Sequence, residues 1–109
     1  MDIKNIPFGL TNWAEIPTTR HTGDQGYALW RTQQFDAIRV RMVEYSENYL
    51  ADHWCSKGHI LLCLEGELHT ELDDGRTFTL TAGMSYQVAD QAEAHRSSTS
   101  KGAKLFIVD

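Results

Sequence analysis

The chain has 109 residues, 41% of them hydrophobic, with a formal charge of -5 and a pI near 5.4. That length makes about one domain, able to bury roughly two-thirds of its unfolded surface around a single core. Its ten Lys and Arg residues are scattered, so no basic footprint for a nucleic-acid backbone exists, and no apolar run approaches the roughly 18 residues of a membrane span. The opening MDIKNIPFGLTNWAEIP lacks the basic and apolar regions of a secretory signal. Cys55 and Cys63 are too few for a disulfide framework. The expectation is a cytoplasmic soluble protein with reduced thiols and neither nucleic acid nor membrane as partner.

In chain order, residues 1–26, with Pro7 and Pro17, read as an extended N-terminal arm packed on the remainder by Ile6, Phe8, Leu10 and Trp13. Residues 27–109 read as one all-β unit. The β-rich segments YALWRTQQ, DAIRVRMVEY, HILLCLEG, ELHTEL, RTFTL, MSYQVA and AKLFIVD are separated by turn signals such as Ser46 to Asn48, Glu65-Gly66, Asp73-Asp74-Gly75 and Ala82-Gly83. Several alternate with period 2, as in Ile38, Val40, Met42 against Arg39, Arg41, Val43. SENYLADHW has the makings of one helical turn, but no window of twelve residues carries a capped apolar stripe. ADQAEAHRS, with almost nothing apolar to bury, reads as a loop leading into a strand.

The segment DHWCSKGHILLCLEG, residues 52–66, holds the chemistry. If residues 52–55 are extended, His53 and Cys55 share one face, and Asp52 and Trp54 the other. After the Ser-Lys-Gly turn the next strand begins at His59, whose same-face positions are Leu61 and Cys63; Gly66 closes a hairpin. His95 follows the polar loop DQAEA and opens a late segment able to lie beside the earlier pair. The candidate metal ligands are therefore His53, Cys55, His59 and His95. Three imidazoles and a thiolate suit zinc first, with iron, nickel or copper tolerated.

These residues carry a resemblance to the small single-domain cupins, whose first motif runs G-x5-H-x-H-x3-E-x6-G. His53 matches its first histidine, Cys55 stands where the second would be, His59 stands at the glutamate, and Gly66 closes the motif at the right distance. LTAGMSYQVADQAEAH resembles the second motif: Gly83 matches the turn glycine, Ala82 and Ala89 replace its prolines, and His95 supplies the last ligand. The loop is one residue longer, and serine or threonine replaces the terminal asparagine. The Asp-His-Trp-Cys string is also similar to the tag of a bacterial cupin group labelled by an Asp/His/Cys/Trp motif. The resemblance implies a cupin-type double-stranded β-helix, a jelly-roll barrel of six to eight strands. It further implies a metal in the barrel mouth, a small-molecule ligand and often a homodimer; the donor set puts zinc foremost among divalent transition metals, with iron or nickel as alternatives.

Ordinary readings stand beside these. Cys63, inside Ile60 to Leu64, is most simply core, although it is also a candidate pocket residue with Trp54, Leu61 and Tyr86. Cys55 is either a ligand or a nearby redox-sensitive thiol. His21 and His69 read as loop and hairpin residues. Arg39 and Arg41 share one strand face; turned inward they would suit a carboxylate-bearing ligand, and the outward orientation is the expected one. Three functions remain open: a metal-dependent cupin acting on or sensing a small molecule, a non-catalytic module with a closed His3Cys site, and a metal-free ligand binder. No residue is singled out as catalytic.

Overall fold

The computed structural model describes residues 2–109, and apart from one 3-10 turn at Trp13–Glu15 its regular elements are all strands. These are β1 (Thr19–Thr22), β2 (Tyr27–Phe35), β3 (Ile38–Tyr45), β4 (His59–Leu72), β5 (Thr77–Thr81), β6 (Ser85–Val88), β7 (His95–Ser98) and β8 (Ala103–Val108). Every pairing is antiparallel. β1, β2, β3, β8 and β4 lie side by side, β6 continues that sheet along the first part of β4, and β5 and β7 flank its second part. β4 thus belongs to both walls of the barrel.

The hairpin expected at Gly66 is absent, because HILLCLEG and ELHTEL form a single strand of 14 residues. The burial pattern explains how one strand serves two sheets. Leu61 and Cys63 are buried before Gly66, and Leu68 and Thr70 after it, so the inward face changes from odd to even positions. A period-2 strand can do this only through an inserted residue, and the register with β8 shifts between Cys63 and Glu65. Gly66 supplies the left-handed backbone, φ +78°, and brings the chain so close to the Gly102 carbonyl that a Cβ would sit 2.2 Å from its oxygen. Leu61, Cys63, Leu68 and Leu105 are the largest fully buried side chains, the leucines contributing about 1.5–3 kcal/mol each in transfer free energy.

The inward face of β3 is the reverse of the expected one. Arg39, Arg41, Val43 and Tyr45 turn toward the barrel interior, and Val40 and Met42 lie on the outer side. That outer side is apolar because the N-terminal arm covers it. Trp13 packs edge-on against Phe106, which stands opposite Met42 in the β3–β8 register, and the Arg31 guanidinium holds the arm through the carbonyls of Trp13 and Ile16. Of the four residues expected to dock the arm, Ile6 and Trp13 are half-buried, whereas Phe8 and Leu10 are 95% and 91% exposed. The last part of the 1–26 segment forms β1.

Residues 52–55 are not an extended strand. The chain bends at Asp52 and His53, and only Cys55 pairs, in an isolated antiparallel bridge to His95. SENYLADHW forms a turn at Glu47 and Asn48 rather than a helical one. ADQAEAHRS is a loop entering β7, as its composition requires.

Candidate metal centre

Three neighbouring pieces of backbone assemble the site at one end of the barrel. Cys55 and His95 exchange both backbone hydrogen bonds, Cys55 N–H to His95 O at 2.8 Å and His95 N–H to Cys55 O at 3.0 Å, which fixes the two side chains together. His59 opens β4 opposite Val88, and Tyr86 on β6 pairs with Leu61 two residues further along. The intervening 56–58 loop is held by Gln91 N–H to Ser56 O and by Gly58 N–H to the Asp90 carboxylate.

The ligand-capable atoms of Cys55, His59 and His95 all lie within 4.8 Å of one another. Donors sharing one ion at bond lengths of about 2.0–2.3 Å stand roughly 3.5 Å apart, so closing on an ion asks for about 1 Å of side-chain movement. His95 is buried; its Nδ1–H donates to the Glu93 carbonyl at 3.0 Å, and that bond leaves the Nε2 lone pair free. Nε2 is buried without a hydrogen-bond partner among the described residues, as is His59 Nδ1. The other nitrogen of His59 lies 2.8 Å from the Tyr86 hydroxyl; when Nε2–H donates there, Nδ1 is free to ligate. Two orphaned imidazole nitrogens beside a thiol fit a divalent transition ion.

Protonation within the group is set by the neighbours. Burial, reinforced by the nearby His95 and arginines, pushes the His59 imidazolium pKa down to about 4, so this ring is neutral near pH 7. The neighbouring His95 ring lowers the Cys55 thiol against the opposing effect of burial, and the neighbouring sulfur raises His95, although no hydrogen bond closes between the two side chains.

His53 does not join the three. Its ring turns to the Asp52 carboxylate at 2.6 Å, and its side chain is 71% exposed at the rim. The bend at Asp52 and His53 breaks the alternation that would have aligned it with Cys55. Of the proposed pocket residues, Leu61 and Tyr86 line the cavity, Cys63 lies deeper in the core, and Trp54 is part-exposed outside the lining.

The cavity beside the ligand group has a volume of about 310 Å³. It is walled by Trp30, Tyr45 and Tyr49, and closed on one side by Arg39 and Arg41. Both guanidiniums meet the buried Asp109 carboxylate: Arg39 donates Nε–H and Nη2–H at 2.8 and 2.9 Å, and Arg41 donates Nη2–H at 3.0 Å. Burial raises the Asp109 pKa, but the two arginines outweigh it and hold the carboxyl below its ordinary range. Asp109 Oδ2 also lies 3.9 Å from His59 Nδ1, linking this cluster to the ligand group. Little in the sequence marks Asp109, a single acidic residue after an apolar strand.

No protein-family model matches the sequence, and no curated protein matches it. Solved structures do. A predicted oxalate decarboxylase from Thermotoga maritima superposes with a TM-score of 0.77 at 14% identity, covering 92% of this chain and 96% of that one. An ectoine synthase from P. lautus gives 0.75 at 19% identity over 93% of this chain and 76% of the other. Fe(II)-HppE gives 0.76 at 18% identity; 94% of this chain is covered, and it spans 60% of that longer one. A cupin-2 domain protein from Shewanella frigidimarina matches 73% of this chain and 78% of its own at a TM-score of 0.60 and 18% identity. With its antiparallel barrel and this set of structural neighbours, the chain has the fold of a small single-domain cupin.

Proposed function

We propose that the protein is a metal-binding small cupin that acts on or senses a small molecule at an open site made by Cys55, His59 and His95. The observation that carries this reading is the buried, unpartnered His95 Nε2 within 4.8 Å of the Cys55 and His59 donors. A buried polar atom without a partner costs about 1–3 kcal/mol, and an ion removes that cost. A divalent transition ion with a vacant position supplies Lewis-acid polarisation of a ligand oxygen or activation of water or dioxygen. The chain's own residues hold it: Glu93 O orients His95, Tyr86 orients His59, and Leu61 and Ile107 keep the inner wall apolar. The mixed sulfur and nitrogen donor set favours zinc, with iron or nickel as alternatives.

A closed His3Cys module requires His53 as fourth ligand. His53 bonds to Asp52 at the rim, which favours three protein ligands and an open position. Two free thiols, Cys55 and Cys63, suit a cytoplasmic location. The exposed Phe8 and Leu10 on the arm suit a homodimer in which the arm lies on a second copy.

Elemental analysis of the purified protein beside His53→Ala, Cys55→Ser, His59→Ala and His95→Ala tests the site. Stoichiometric metal in the parent and the His53 variant, with loss in the other three, is the expected pattern. Equal metal in all five proteins refutes the assignment.

A further inference from the structure

The charge around the cavity does not balance. Two guanidiniums face one carboxylate, and Asp109 is almost fully engaged by Arg39, which takes both of its oxygens. Arg41 contributes a single N–H to Asp109, and its Nε–H is buried without a partner among the described residues. Its side chain is 7% exposed, so water does little to neutralise it. Trp30 stacks over Arg41 at 4.3 Å and over Arg39 at 5.6 Å, which stabilises and orients the cations without supplying negative charge. Among the described residues lining the cavity are Arg39, Arg41 and Lys57, and no carboxylate. A divalent ion at Cys55, His59 and His95 would exceed the charge of one thiolate and enlarge the positive excess.

A buried cation with unspent donors, on the wall of a cavity, is arranged for an anion. We infer that this cavity receives a small organic monocarboxylate, its carboxylate against the Arg41 guanidinium on the cavity wall and its other end toward the Cys55, His59 and His95 group. The Asp109 carboxylate on Arg39 is an internal example of the same contact, bidentate at 2.8 and 2.9 Å. The volume of about 310 Å³ stands at the low end of ligand pockets, which run from about 300 to 1,000 Å³, and the walls of Trp30, Tyr45 and Tyr49 suit a flat or apolar body. Placement of the ligand's other end rests on the metal-binding reading; the contact with Arg41 does not.

The test titrates the purified full chain, its metal content measured first, with benzoate and pyruvate, each beside its neutral amide. Binding is followed by calorimetry and by the side-chain Nε–H resonance of Arg41. At least one carboxylate binds saturably and moves that resonance, its amide binds at least about 10-fold more weakly, and Arg41→Lys weakens the carboxylate about 10- to 100-fold. The Lys variant keeps the charge and loses the fork; should it misfold, the carboxylate-to-amide ratio on the unaltered protein still decides. Equal affinity for acid and amide, no binding of either carboxylate, or binding that leaves the Arg41 resonance unmoved overturns the inference. Protein lacking metal that still prefers carboxylate refutes the metal site alone, and metal-loaded protein without that preference refutes the carboxylate alone.

Discussion

Replacing Asp109 by Asn tests whether the arginine pair is held inward by one buried charge. The carboxylate is 1% exposed and accepts two hydrogen bonds from Arg39 and one from Arg41. Asparagine keeps the shape, but it offers one carbonyl oxygen and turns an amide N–H₂ toward guanidinium donors. Two cations then share the site without a counter-charge. Removing one partner of a buried ion pair costs about 3–5 kcal/mol. Arg39 is 29% exposed and recovers some hydration, so the lower end applies, about 3 kcal/mol. For a domain of this size that lowers Tm by about 12–20 °C. Urea denaturation of both proteins measures the difference, and its pH dependence supplies a second check. Because the folded Asp109 pKa is depressed, its contribution is complete above the unfolded carboxyl value of about 3.9 and is lost as pH falls through the folded pKa. The gap between the two proteins therefore stays constant from pH 7 to about pH 5 and narrows below about pH 4. A gap under about 1 kcal/mol at pH 7, or one that persists unchanged in acid, refutes the reasoning.

Tyr86→Phe removes the hydroxyl beside His59 Nε2 with little change in packing and lowers metal affinity about 10- to 100-fold in a chelator competition; unchanged affinity means that Tyr86 does not orient the ligand. Gly66→Ala forces a side chain into left-handed backbone against the Gly102 carbonyl, costing about 3 kcal/mol or more by chemical denaturation, and a loss under about 1 kcal/mol means that the bulge can relax. For the proposed homodimer, light scattering gives a dimer mass for the parent and a monomer mass for the double variant Phe8→Ser and Leu10→Ser; a monomeric parent, or an equal mass for both, refutes pairing through the arm.

The sequence by itself determined the β class and most of the strands, because alternation and glycine-rich turns are local consequences of backbone geometry. It also carried the association of Cys55, His59 and His95, through motif spacing and residue chemistry. It could state which residues of β3 share a face, but not which face turns inward. Both faces of that strand are covered, the outer by Trp13 from the arm, so Met42 found an apolar neighbour outside and Arg41 turned inside toward Asp109, 68 positions away. The same limit applied at β4, where the switch from Leu61 and Cys63 to Leu68 and Thr70 resembled two strands with a turn. The bulge between Cys63 and Glu65, followed by the left-handed Gly66 against Gly102, made them one. His53 stands apart from Cys55, His59 and His95 because a bend at Asp52 interrupts the alternation, and Cys55 lies beside His95 through their backbone bridge. Periodicity fixes neighbours along a strand, whereas pairing between distant strands fixes which of them reach the site.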